Sequence, residues 1–188
     1  NWQNSNQFLN LSYLSSPFSI LVRDAESCTT AVQSVDIFDS PDPQVTNVNN
    51  YGPACYNGST GFIEITALSA SNPLSYSIDG GTVFQNTNTF SGLSSGSYSV
   101  LVEDVNGCQT YWGNVLLNNP QELIISTINT VTPLCYDSCN GQIDIVASGG
   151  SGNLFYSIDG GVNFVAVNTF PNQCPGLFNI AVQDDSSC

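Results

Sequence analysis

Apolar and polar positions alternate with a period of two through most of this chain. In "FIEITA" Ile63, Ile65 and Ala67 fall on one side and Glu64 and Thr66 on the other, and "QIDIVA" repeats the pattern with Ile143, Ile145 and Ala147. Successive side chains of a strand point to opposite faces, so the pattern predicts half-buried strands. "LSYSID" likewise aligns Leu74, Tyr76 and Ile78, "YSVLVED" aligns Tyr98, Val100 and Val102, and "ELIISTINTV" and "QTYWGNVLL" add two long strands. No segment carries apolar residues at a helical spacing, so almost no helix is expected. The hexapeptide "YSIDGG" stands at 76–81 and again at 156–161. Asp79, Gly80 and Gly81, with Asp159, Gly160 and Gly161, supply the residue types that a tight hairpin demands, because its turn positions need positive φ. A strand over residues 82–90 is expected to run back from that turn, giving about seven strands in each unit and an immunoglobulin-like or fibronectin-like sandwich.

The two hexapeptides belong to a longer period. Cys28, Cys108 and Cys188 are 80 apart, and the same offset relates Cys55 to Cys135, Asp24 to Asp104 to Asp184, and Phe18 to Tyr98 to Phe178. Laid on 135–188 without a gap, residues 55–108 are identical at 22 of 54 positions. Proline and asparagine clusters, "SPDPQ" and "NNPQ", punctuate the chain between units. The expected organisation is the C-terminal part of one repeat over 1–43, a complete repeat over 44–119, and a repeat lacking its last strand over 120–188. Units of ~80 residues bury a small share of their surface, so stapling by disulfides or neighbours matters to them.

Composition narrows the function. The net charge is −14 and Arg23 is the single basic side chain, which excludes neutralising the phosphates of a nucleic acid or an anionic membrane. Seven cysteines and no histidine point to disulfides, and so to an oxidising compartment outside the cytoplasm. No apolar run approaches the roughly 20 residues of a membrane helix. The first residue is Asn and no signal-peptide pattern follows, so an internal or mature portion of something longer is expected. With neither His nor Lys, serine triads and lysine nucleophiles are out of reach, and a cysteine thiolate lacks its customary base. A non-enzyme is expected, without a catalytic residue or a cofactor.

The stretch "CYNGSTGFIEITA…LSYSIDGG…NTFSGLSSGSYSVLVEDVNGC" resembles the SprB-repeat family of Bacteroidota surface proteins. The resemblance covers both long units, and the leading "LSSPFSILVRDAESC" carries the same ending. Departures are "YDSCNG" after Cys135, "NQCPGLF" where the family has Leu-x-x-Gly-x-Tyr, and a third ending, "DDSSC", without Gly. The resemblance implies a long extracellular filament on the cell surface, exported by type IX secretion and serving adhesion or gliding motility. Its implied partners are neighbouring repeats and the outer-membrane secretion or motility machinery. Surface polysaccharide is the partner under the rival reading, a glycan-binding module; an accessory domain of a secreted hydrolase is a third.

Candidate sites are few. Asp24, Asp104 and Asp184 stand where a strand ends before a Cys turn, and an Asx-type turn accepting backbone N–H groups is the expected role. The rival role is a structural calcium ligand, helped by Glu103 and Asn106 or by Asp36, Asp39 and Asp42. Tyr98, in "LSSGSY", suggests a tyrosine corner, yet its counterparts Phe18 and Phe178 lack the hydroxyl, so the position is expected to be mainly apolar core. Tyr111 and Trp112 are expected to pack at a domain junction, a sugar-stacking platform being the alternative. Cys139 and Cys174 break the period; their counterparts Ser59 and Ser94 are both serine, as expected if the two cysteines pair. Cys55 to Cys108 is the simple remaining bond, but a sandwich puts those two at opposite ends, a strand length of ~20 Å apart. The same topology brings Cys55 to Cys188 across the junction. Cys28 and Cys108 would then face upstream and Cys135 downstream.

Overall fold

The computed structural model describes residues 2–135 and 138–188. The chain divides into two compact units, Asn1–Asp42 and Pro43–Cys188. In the first, a 3-10 turn at Tyr13–Ser15 precedes a hairpin of β1 (Phe18–Ile20) and β2 (Gln33–Val35), held by three pairs from Phe18↔Val35 to Ile20↔Gln33. The Arg23 guanidinium lies 4.3 Å from the centre of the Trp2 ring, a cation–π contact.

The larger unit contains both long repeats. The first has six strands: β3 (Gln44–Tyr51), β4 (Gly61–Leu68), β5 (Ser75–Ser77), β6 (Thr89–Leu93), β7 (Gly96–Glu103) and β8 (Gln109–Leu117). They form two antiparallel sheets, ordered β3-β4-β6 and β5-β7-β8. The inner faces meet in a core of Ile63, Ile65, Leu74, Val100, Val102, Val115 and Leu117. Ile63, Ile65, Leu74, Val100 and Val102 are positions the period of two selects, and closing the two apolar faces on each other is what drives the sandwich. The Thr110 hydroxyl adds a polar tie between the sheets by donating to the Pro43 carbonyl at the start of β3.

The second repeat has β9 (Gln121–Val131), β10 (Gly141–Gly150), β11 (Leu154–Ser157), β12 (Thr169–Gln173) and β13 (Ala181–Asp184), in sheets β12-β10-β9 and β11-β13. Its buried core is smaller: Ile143, Ile145 and Tyr156.

The chain is thus all-β, built of small antiparallel sheets, as its alternation requires. The strand expected over 82–90 is not formed. After β5 the chain makes one bridge, Tyr76↔Gln85, and then crosses to the opposite sheet as β6, so the complete repeat has six strands rather than seven. Asn88 controls the crossing: its carbonyl accepts from Ile65 N at 2.9 Å and its side-chain amide donates to Ile65 O at 2.9 Å. Asn168 clamps Ile145 in the same way.

Candidate functional site

Three constructions recur with the period. The first is the YSIDGG loop. Gly80 and Gly81 have φ of 76° and 91°, the left-handed region that glycine adopts without strain. The loop is wider than a two-residue hairpin and is organised by a serine. Ser77, fully buried, donates from Oγ to Asp79 Oδ1 at 2.7 Å and accepts Gly81 N at 2.9 Å. Asp79 Oδ1 also accepts Thr82 N and Val83 N, each at 3.0 Å. Ser157 and Asp159 reproduce the arrangement, with Val162 N, Asn163 N and the Asn163 amide as donors. These bonds hold both carboxyls below the ordinary aspartate range: the Val83 amide leads at Asp79 and the Ser157 hydroxyl at Asp159. With their lone pairs turned inward, these aspartates hold the loop together. Sequence reasoning missed Ser77 and Ser157; the signal was their recurrence two residues before each Asp.

The second construction is the turn before each periodic cysteine. Asp24 Oδ1 accepts Glu26 N and Cys28 N at 3.0 and 2.9 Å, Asp104 Oδ1 accepts Asn106 N and Cys108 N at 2.9 and 3.0 Å, and Asp184 Oδ1 accepts Ser186 N and Cys188 N, both at 2.9 Å. All three are Asx turns. Asp104 and Asp184 are buried, 4% and 2% exposed. Asp184 Oδ2 gains a third donor, Ser151 N at 2.7 Å, whereas Asp104 Oδ2 is buried with no hydrogen-bond partner. Burial pushes the Asp184 carboxyl up, but the Cys188, Ser151 and Ser186 amides outweigh it and leave it below the ordinary value. Among the described residues no group of three or more Asp, Glu, Cys or His side chains is placed to hold a metal ion.

Within these turns the residue before the cysteine is left-handed: Gly107 at φ 81°, but Ser27 at 72° and Ser187 at 63°. A non-glycine residue there costs roughly 1 to 2 kcal/mol, partly offset because glycine is freer when unfolded. Ser187→Gly is therefore expected to stabilise the chain by about 0.5 to 1 kcal/mol in denaturant titration. Gly107→Ala should do the reverse.

The third construction is the junction of the two repeats. The loop between β3 and β4 lies against the connector leaving β8. Asn57 N donates to Asn119 Oδ1 at 2.9 Å and Asn119 Nδ2 to Asn57 Oδ1 at 3.1 Å, and a Cβ on Gly52 would collide with the Asn118 carbonyl. Cys188, at the end of the last Asx turn, comes to the same place and is disulfide-bonded to Cys55, with Cα atoms 5.5 Å apart and 133 positions between them in sequence. A second disulfide joins Cys139 to Cys174 inside the second repeat. Cys28 and Cys135 are exposed thiols. Gly58 N donates to Cys55 O at 2.9 Å, and Ser138 N likewise donates to Cys135 O at 3.2 Å.

The aromatic candidates separate. Tyr98 Oη donates to Ser94 O at 2.9 Å, a tyrosine-corner bond, while its ring packs on the core. Tyr111 and Trp112 do not pack at the repeat junction; they are 56% and 48% exposed. The register of β7 on β8 shifts between Val100↔Gly113 and Leu101↔Tyr111, which leaves Trp112 as the extra residue of a bulge, outside the register pairs. Tyr51 and Phe62 stack across β3 and β4 with ring centres 4.8 Å apart.

No curated protein matches the chain. Residues 127–163, from the second half of β9 through β10 and β11 to just past the second YSIDGG loop, match the family model of the SprB repeat, a match that supports membership of the SprB-repeat family.

Proposed function

We propose that the chain is a force-bearing, non-catalytic segment of a large extracellular adhesin or gliding-motility filament, in which consecutive repeats are tied covalently. SprB repeats belong to cell-surface proteins, and the acidic, Ser-, Thr- and Asn-rich surface suits a hydrated shaft. The observation that carries the reading is the Cys55–Cys188 bond, which joins the start of one repeat to the end of the next. Its span of 133 residues exceeds the period of 80, so bonds repeated at that period would overlap. Cys135 holds in the second repeat the position of Cys55 in the first, and it is the residue through which a following repeat would be tied. In such an array tension at every junction passes through a disulfide as well as the backbone.

Deleting residues 44–188 from the protein in the cell that makes it is expected to reduce surface attachment under shear or gliding speed, with export unchanged. Normal attachment and gliding at normal surface levels would refute the reading. Polysaccharide binding is the second reading, favoured by the exposed Tyr111 and Trp112. A change in tryptophan fluorescence on adding surface polysaccharide, abolished by Trp112→Ala, would place it ahead of the first.

A further inference from the structure

A bulge decides what β8 presents to solvent. Val115 and Leu117 face the core, and strict alternation would turn Tyr111 to the core with them. The extra residue, Trp112, shifts the parity. Tyr111 pairs with Leu101, which lies between the fully buried Val100 and Val102, so both stand on the outer face. Tyr111 and Asn114, three apart in sequence, therefore share that face, and they are bonded. Tyr111 Oη donates to Asn114 Oδ1 at 2.9 Å, and Ser99 Oγ on β7 donates to the same oxygen at 2.6 Å. The Tyr111 ring is thus tied down while 56% exposed, with the next residue, Trp112, 48% exposed.

The scaffold does not require this arrangement. Eighty positions upstream, where β2 pairs with β1 in the same register, Ala31, Val32 and Ser34 stand in place of Tyr111, Trp112 and Asn114. The residues that build the fold, the Asx-turn aspartates and the YSIDGG loops, recur with the period; the aromatic pair does not. The polar row also continues across the sheet. Ser99 pairs with Asn114 on one side and is bridged to Asp79 on the other, so the three span about 10 Å at the usual strand spacing. The YSIDGG loop engages Asp79 through Oδ1. Among the described residues Asp79 Oδ2 accepts no donor, whereas Asp159 Oδ2 accepts the Asn163 amide, because Val83 stands where Asn163 does.

We infer that this outer face of the first repeat is a binding site for a neutral polysaccharide, with Tyr111 stacked on one sugar ring and Asn114, Ser99 and Asp79 bonded to hydroxyls along the chain. The inference rests on the second reading above, polysaccharide binding, and gives it a place and a ligand class. A sugar ring has an apolar face of C–H groups and a rim of hydroxyls that both donate and accept. An aromatic ring, negative on its face, meets the first; amide, hydroxyl and carboxylate groups meet the second. Fixing the ring in advance by the Asn114 bond lowers the ordering cost of binding. Charge selects the class. The ionisable side chains bordering the face are acids, Asp79 beside Ser99 and Glu103 two residues along from the partner of Tyr111. Arg23, the chain's single basic side chain, stacks on Trp2 instead. Uronate or sulfate groups would meet like charge, so the ligand is uncharged.

Trp112 becomes the sole reporter once Trp2, the other tryptophan, is replaced by Phe. Fluorescence of the Trp2→Phe chain is expected to change saturably with at least one of the neutral polymers dextran, laminarin, xylan and galactomannan. The response should be the same at low and high salt, since no charge is paired, and absent with alginate and hyaluronate. In that background Tyr111→Ala and Asn114→Ala, both at exposed positions, are expected to weaken binding about tenfold or more with the thermal transition unmoved. Binding that neither variant weakens overturns the inference. A response to alginate or hyaluronate alone keeps the polysaccharide reading and overturns the neutral site, and no response to any of these polymers overturns both.

Discussion

Stretched between handles at its two ends under oxidising conditions, the chain is expected to lengthen as though most of it were missing. Cys55 and Cys188 are bonded, so tension enters at Cys55 and leaves at Cys188 without passing through the backbone between them. At roughly 3.4 Å per extended residue, the 133-residue separation hides about 450 Å of contour, and only about 190 Å from the first 55 residues is free to pull out. The Cys55→Ser, Cys188→Ser variant should release the hidden length, less the stretch that the Cys139–Cys174 bond still encloses. Single-molecule extension reads the difference directly. Equal contour lengths for the oxidised parent and the double variant would sink both the staple and the force-bearing reading. The same variant should unfold more readily at equilibrium: on the chain-entropy model, closing a loop of this size is worth about 5 kcal/mol, an upper figure when neighbouring repeats also pack.

The sequence makes much of this arrangement legible. Period-two alternation locates Ile63, Ile65, Val100 and Val102, all of which are fully buried. The 80-residue period separates Cys139 and Cys174 from the other five cysteines, and those two are bonded. What escapes the sequence is set by contacts between distant segments. Asp-Gly-Gly is sound turn chemistry, but it does not say how wide the loop is; that depends on Ser77 burying its hydroxyl beneath the loop and on Asn88 clamping β4 where the chain enters β6 beside it. Period-two reasoning also assumes an unbroken ladder. One bulge at Trp112 changes which face each following residue presents, and so exposes a ring that composition alone would bury.

Asp184→Ala is expected to destabilise the chain by about 5 kcal/mol, the lower end of the sum, because three backbone N–H groups, of Ser151, Ser186 and Cys188, lose a charged acceptor, and such bonds contribute roughly 1.5 to 3 kcal/mol each. Asp104→Ala should cost less: Asp104 holds only Asn106 N and Cys108 N, and its second oxygen is already buried without a partner. The comparison isolates the Ser151 bond, which pins the loop after β10 to the turn that carries Cys188 into the junction. The pH dependence has a definite sign. Burial opposes the Asp184 carboxylate but its amide donors win, so the folded group titrates below the unfolded one. Its stabilisation is therefore complete above the unfolded value of about 3.9 and is lost as pH falls through the depressed folded value. In denaturant titrations the penalty of Asp184→Ala should stay constant from neutral pH down to about 5 and shrink below about 4. A penalty that persists undiminished in acid would mean the side chain acts by filling space, and the turn would then hold Cys188 in place by packing rather than by charge.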